Sequence, residues 1–319
     1  MQRQQTDNGK PQVWAVGGGK GGIGKSVLSI LIAMALAEKG QETVVIDGDL
    51  GGANLHTFMG IRTPGRTLND FIGRRYDTLD EVCIGTEQKS LRIICGASEV
   101  LTMANLKYTQ KTKILQAIAK IEADHVVLDL GAGTGFNTLD FFLSAHHQVV
   151  VMTPQPVAIQ NAYAFVRNAV YRKLSRITSR RPSLDDLVKA AMNPKNDMQV
   201  RTVNTLLERI AANGAASDAA HMAAELKRIR PVLITNMVRQ PRDKNASRII
   251  QMVAQKHLTI QARNGEGVYF DPQINALVSA MEPLTRVDRD SNAIQCAFSV
   301  VSHLTGTEST PDVPVAVGM

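Results

Sequence analysis

Gly19-Lys20-Gly21-Gly22-Ile23-Gly24-Lys25-Ser26 satisfies every defined position of the phosphate-binding P-loop pattern. Its flanks agree with it. The apolar run Val13-Trp14-Ala15-Val16 reads as the preceding strand, and Leu28, Leu31, Ile32, Ala35 and Leu36 recur at helical spacing after Lys25. In a strand-loop-helix unit the glycines leave successive backbone N–H groups open to phosphate oxygens, and the helix N-terminus adds positive potential. Nucleoside triphosphate binding is the implication. Gly19 through Ser26 would form the cradle, Lys25 would reach the β- and γ-phosphates, and the Ser26 hydroxyl would ligate Mg²⁺.

Two further segments bring carboxylates to strand ends. Glu42-Thr43-Val44-Val45-Ile46-Asp47-Gly48-Asp49 reads as a buried strand ending in two acids, and His125-Val126-Val127-Leu128-Asp129-Leu130-Gly131-Ala132-Gly133 as another ending in one. The carboxyl ends of parallel strands are where open α/β sheets place their ligands. Asp129 is expected to hold Mg²⁺ largely through water, because Mg²⁺ keeps much of its hydration shell. Asp47 and Asp49 would share a face on an ideal strand, but Gly48 allows the chain to turn between them. Asp49 is alternatively the start of a turn with Gly51 and Gly52. Loop, acid pair and acid in this order specify phosphoryl chemistry, in which positioning and charge neutralisation dominate.

Lys20, five residues before Lys25, is more than an ordinary P-loop needs, and it is either a solvated loop charge or a second phosphate ligand. Lys20-Gly21-Gly22-Ile23-Gly24-Lys25-Ser26 resembles the deviant loop of the MinD/ParA family, in which the first lysine reaches the nucleotide of a partner subunit. The resemblance implies an ATP-dependent homodimer with ATP sandwiched between two copies. It also implies that Asp49 orients the attacking water in a first switch segment, that Asp47 lies nearer the loop and Mg²⁺, and that Gly131 and Gly133 belong to a second switch. Lys20, Lys25 and Asp49 are thereby the expected catalytic residues, with Ser26, Asp47 and Asp129 at the metal.

Later landmarks are similar to the FlhG/FleN branch of flagellar placement and number regulators. Thr153-Pro154-Gln155-Pro156-Val157-Ala158-Ile159-Gln160-Asn161-Ala162-Tyr163 resembles that branch's strand-to-helix signature, with Gln155 where an acid is common. Asn236, at the end of Val232-Leu233-Ile234-Thr235-Asn236, falls where the family sets an asparagine amide against adenine; the alternative is an Asn in a strand-end turn. Gly267-Val268-Tyr269-Phe270-Asp271-Pro272 and the helical spacing after it look like the family's last strand and helix. The likeness spans about 12–174 and 231–304. Met1 to Lys10 lacks the Asp-Gln-Ala segment through which FlhG-type proteins stimulate a GTPase partner.

The alternation of strands near 13–16, 43–46, 91–95, 126–130, 148–152, 232–236 and 267–270 with helices predicts a doubly wound, mostly parallel α/β sheet. One P-loop ATPase domain is expected over 12–304, interrupted by a helical insertion at about 174–230, with flexible tails at 1–11 and 305–319. Val200, Val203, Leu206, Leu207 and Ile210, and then Met222, Leu226 and Ile229, repeat at helical spacing within the insertion and read first as core.

Aromatic residues are 4% of the 319-residue chain, so the core must be mostly aliphatic. No apolar run approaches the ~18 residues of a membrane span, and no charged-then-apolar leader opens the chain, which predicts a cytoplasmic location. The last helix, Ser291 to Leu304, carries no Lys or Arg, unlike an interfacial helix, and is expected to dock on the domain through Ile294, Ala297, Phe298 and Val301. Cys83, Cys95 and Cys296 are too dispersed for a close-paired metal motif, which weighs against a metal-cluster assembly scaffold. The net charge of +7 concentrates at Arg172, Lys173, Arg176, Arg180 and Arg181, at Lys227, Arg228 and Arg230, and at Arg239, Arg242, Lys244 and Arg248. Non-specific DNA binding by a ParA-type partitioning ATPase and a solvated helical face both account for these clusters. The expected partner is otherwise a protein of a positioning or flagellar system.

Overall fold

Apolar residues on both faces of one strand require cover on both sides, and β1 (Gln12–Gly17) illustrates this: Val13 and Ala15 point into one hydrophobic layer, Trp14 and Val16 into the other. In the computed structural model the described residues are 10–49, 51–96, 106–193 and 200–306. The expected tails lie outside them save for residues 10–11 and 305–306.

From β1 the chain passes through the loop into α1 (Lys25–Glu38) and β2 (Thr43–Gly48), then through two short helices, α2 (Leu55–Phe58) and α3 (Leu68–Ile72). The two-residue β3 (Ile84–Gly85) and β4 (Leu91–Ile94) precede α4 (Tyr108–Ile118), β5 (His125–Leu130), α5 (Phe136–Ser144) and β6 (His147–Met152). The long α6 (Pro156–Thr178) leads into α7 (Pro182–Met192), α8 (Val203–Ile210) and α9 (Ala216–Leu226). β7 (Val232–Val238), α10 (Asn245–Leu258), β8 (Arg263–Tyr269), α11 (Pro272–Ala280) and α12 (Asn292–Thr305) complete the order.

The eight strands lie in the order β3-β4-β2-β5-β1-β6-β7-β8, every pair parallel except β3 with β4. The doubly wound sheet follows from the alternation read in the sequence. The antiparallel edge strand β3 does not, because two residues give no period to detect.

The stripe of Leu28, Leu31, Ile32, Ala35 and Leu36 is buried, and the burial of α1 extends beyond it. Every residue from Leu28 to Ala37 is buried, because α12 packs over its outer face. Ile294, Ala297 and Val301 of α12 are buried against this layer and Phe298 is half-buried, so the uncharged last helix docks as its composition predicted. On the opposite layer, Val200, Val203, Leu206, Leu207 and Ile210, together with Met222, Leu226 and Ile229, are core residues.

Candidate functional site

The loop leaves the carboxyl end of the central strand β1, which β5 and β6 flank. Gly24 caps α1 with φ 85°, a left-handed conformation that glycine adopts without a Cβ penalty, and no side chain caps the helix. The first N–H groups of α1 therefore have no side-chain acceptor, the condition for binding an anion. Gly19 serves a packing role, since a Cβ there would stand 2.0 Å from the Asn161 carbonyl oxygen of α6. Gly21 and Gly22 are exposed, and Ile23 is buried beneath the loop.

Lys25 is 8% exposed, and its Nζ donates to the Lys20 carbonyl at 3.2 Å. Burial lowers its pKa, and the charges of Asp129 and Asp49 oppose that shift. Asp129 stands one strand away on β5, in register with Val16 of β1 and with Asp47 of β2. Ser29 Oγ donates to Asp129 Oδ1 at 3.1 Å, and Ser26 also hydrogen-bonds to this carboxylate. Burial pushes the Asp129 carboxyl up to about 6, against those two hydroxyls and the Lys25 charge. Asp47 is fully buried, and burial drives its carboxyl to about 7 although Leu55 N–H (3.0 Å) and Asp49 N–H (3.1 Å) donate to its two oxygens.

Asp49 lies past the strand end and is half-exposed. Gly131 lets the chain after β5 come close to it, because a Cβ at that glycine would stand 2.9 Å from Asp49 Oδ1. Lys25, Ser26, Asp49 and Asp129 thus converge around the start of α1. Lys20 does not join them; its side chain is exposed and forms no ion pair among the described residues. Asp47, expected nearer the metal, has both oxygens committed to backbone N–H groups of the segment that follows it. Asn236 is buried on the other side of the loop. It borders a small apolar pocket of about 130 Å³ lined by Gly24, Leu28, Val268, Phe270, Ile274 and Asn275, among others.

The donor set suits Mg²⁺. A hydroxyl, a buried carboxylate and a half-exposed carboxylate are hard oxygen ligands, and a carboxyl raised by burial is one that a nearby cation stabilises. No group of three or more His, Cys, Asp or Glu able to hold a metal occurs among the described residues. That is compatible with a cation whose remaining ligands are water and phosphate. Ser29 was missed in the sequence, although its position four residues after Lys25 puts it on the same helix face.

The basic clusters differ in their partners. Arg172, Lys111 and Arg176 surround the buried Asp140, Lys173 pairs with Glu225, and Arg181 with Asp218, so much of the first cluster is bound into the helical layer. Arg239 stacks on Phe270 and Lys244 on Tyr269, and the side chains of these two and of Arg242 and Arg248 form no ion pair among the described residues. Cys83, Cys95 and Cys296 are free and buried, and burial pushes their thiols up to about 11, 12 and 12 respectively. No helix is long and apolar enough to cross a membrane among the described residues.

The family described as ParA, NUBPL iron-transfer P-loop NTPase, matches residues 10–173, just over half of the chain. Antiactivator FleN of Pseudomonas aeruginosa is 37% identical over 158 residues, covering 49% of this chain and 55% of that protein. The flagellum site-determining protein YlxH of Helicobacter pylori is 32% identical over 166 residues, 50% of this chain and 54% of its own. The chain thus spans about half the length of these curated relatives. Among solved structures, the septum site-determining protein MinD complexed with Mg-ADP from Pyrococcus horikoshii OT3 aligns with 92% of this chain and 96% of its own. At a TM-score of 0.60 and 16% identity, that likeness is one of fold.

Proposed function

This chain belongs to the ParA family of P-loop NTPases, and on that footing we propose that it is an Mg²⁺-dependent ATPase that is monomeric when empty and forms an ATP-sandwich dimer. Its task would be the positioning or number control of a cellular structure, the flagellum being favoured by the names its FleN and YlxH relatives carry. One observation carries the chemical reading: Lys25, Ser26, Asp49 and Asp129 meet at an uncapped helix N-terminus, with the carboxyl of Asp129 raised by burial.

Each residue then has a separable role. The Lys25 ammonium neutralises the β/γ-phosphate oxygens, and the Gly19–Ser26 backbone cradles them. Ser26 and Asp129 would hold Mg²⁺, which would supply charge neutralisation at the phosphates, while Asp47 anchors the chain at Asp49 and Leu55 through its two backbone hydrogen bonds. Asp49 orients water in line with the bond that breaks. The exposed Lys20 is the residue left to reach the nucleotide of a second copy. The apolar pocket beside Gly24 would take the adenine.

A second reading, a ParA-type ATPase moving DNA or cargo, is favoured by Arg239, Arg242, Lys244 and Arg248, whose side chains form no ion pair among the described residues. A metal-cluster scaffold is named by the description of the matching family, but the three cysteines are free and buried, which leaves it the weakest of the three readings. The test is light scattering on size-exclusion chromatography with Mg²⁺ and ATP. Asp49→Ala should bind ATP, turn over slowly and accumulate as a dimer, whereas Lys20→Ala should bind ATP and stay monomeric. A wild-type dimer population and hydrolysis rate in both variants would remove the switch from the account. Salt-sensitive co-sedimentation with DNA that depends on ATP and on Arg242 and Arg248 would move the task to the second reading.

A further inference from the structure

The amide of Asn236 does something that a base-reading role does not require. Its Nδ2 donates to the backbone carbonyl of Ile23 at 2.9 Å, a buried bond joining the end of β7 to the middle of the phosphate loop. Ile23 offers an acceptor there, so chemistry fixes which end of the amide faces it. Three further observations converge on the same contact. The pairing of β7 with β8 slips between Leu233 and Thr235 and again between Thr235 and Val238, which places Asn236 within an irregular stretch of the strand. Met237, next in the chain, has φ 56°, a left-handed conformation costly for a residue other than glycine. And a Cβ at Gly24 would stand 2.1 Å from Asn236 Nδ2, so this amide occupies the space that the loop's last glycine leaves open.

We infer that Asn236 is a positioning residue for phosphate binding, holding the Ile23–Gly24 peptide in its binding orientation through the Ile23 carbonyl. In a planar trans peptide the C=O and the N–H point opposite ways. Tethering the Ile23 oxygen toward β7 therefore directs the Gly24 N–H away from it and limits the rotational freedom of a segment built from glycines. The strained Met237 and the irregular strand end are what the fold sustains to bring the amide there. Asn236 Oδ1 remains available to a base in the adjoining pocket, but the loop contact acts on whatever carries phosphates, with or without a base.

The inference rests on the proposed nucleotide site and is separable from it by ligand choice. Full-length protein, Asn236→Ala and the near-isosteric Asn236→Asp are titrated calorimetrically with the Mg²⁺ complexes of ATP, GTP and inorganic tripolyphosphate. Loss of one hydrogen bond should weaken all three ligands for Asn236→Ala by roughly three- to tenfold, with the ATP-to-GTP ratio unchanged. Asn236→Asp should weaken them further, because an acceptor then faces the Ile23 carbonyl and adds negative charge near phosphate. Hydrogen exchange without ligand should be faster in both variants at Leu28, whose N–H donates to the Gly24 carbonyl at 3.0 Å, while amides of the central strands keep their protection. If ATP weakens and tripolyphosphate does not, Asn236 reads the base and the positioning role is wrong; unchanged affinity for all three ligands also overturns it. Failure of the unaltered protein to bind any of the three would remove the nucleotide reading and this inference together.

Discussion

The two ends of the central strand bury titratable side chains in opposite ways. At the amino end, Trp14 Nε1 donates to His125 Nδ1 at 3.1 Å, the Trp14 ring lies 4.2 Å from that of His147, and His146 Nδ1 accepts the Val13 N–H at 2.9 Å. Burial pushes His125 and His147 down to about 4, so both are neutral. Neutral rings in hydrogen-bonded and stacked contacts stabilise the fold and ask for nothing further. At the carboxyl end, Asp47 and Asp129 are pushed up toward 7 and 6 by burial, and the charges of their neighbouring carboxylates add to the rise. An array of buried acids is a poor stability device, but a cation and a loop of N–H groups turn it into a binding site. The same desolvation thus serves a structural end and the end that carries the proposed site.

If that contrast holds, substitutions at the two ends should part cleanly. The largest effect is expected for Lys25→Ala in the presence of ligand. A nucleotide at a thousand-fold excess over its Kd stabilises by ~4 kcal/mol, and this shift should vanish in the variant while the ligand-free melting temperature barely moves. Retained stabilisation by ATP would defeat the assignment of the loop.

Trp14→Phe should show the reverse pattern. Removing the indole N–H leaves His125 Nδ1 without its donor in a buried site, and the smaller ring leaves a void, together about 2–3 kcal/mol by denaturant unfolding. Nucleotide affinity should be unaffected, and a matching loss of affinity would show that the two ends are coupled. The Trp14 layer also has a pH signature. With His125 depressed to about 4, its contribution is complete above the unfolded value of 6.5 and is lost as pH falls toward 4.

The last effect, spread over two units of pH, has the opposite sign with pH. Because the folded Asp129 carboxyl titrates near 6 rather than 3.8, the folded state holds that proton more tightly. Its protonation favours folding below 3.8, and that advantage disappears as pH rises to 6. Asn at this position lacks the titration, so the stability of Asp129→Asn relative to wild type should rise across this window, by up to ~1.4 kcal/mol per pH unit, and level off above it. A flat difference between pH 4 and 7 in ligand-free protein would mean that Asp129 is not under the charge strain inferred here.

Much of this molecule was legible in its residues. The P-loop octapeptide, the apolar runs ending at Asp47 and Asp129, and the uncharged final helix each carry their signal locally, because phosphate cradles, buried strands and docked helices depend on near neighbours and short periods. The doubly wound, mostly parallel sheet followed from that alternation, whereas the order of its strands came only from the fold. Contacts between distant residues left no such mark. Arg172, Lys173 and Arg176 read as solvated or DNA-facing charges, yet Asp140 and Glu225 anchor them within the helical layer. The five-residue stripe read in α1 is only part of its buried surface, since α12 covers it from the far end of the chain.

The division has a physical basis. Sequence by itself determined the seven longer strands, which end of the sheet carries the acids, and that the loop after β1 matches a phosphate-binding pattern, because backbone sterics and hydrophobic period act over a few residues. Only the tertiary structure decided that Asn236 grips Ile23 across 213 positions, that Trp14 and His125 satisfy each other, and that burial raises the acids at the site. Hydrogen bonds and desolvation depend on what surrounds an atom in space, and chain order does not specify that.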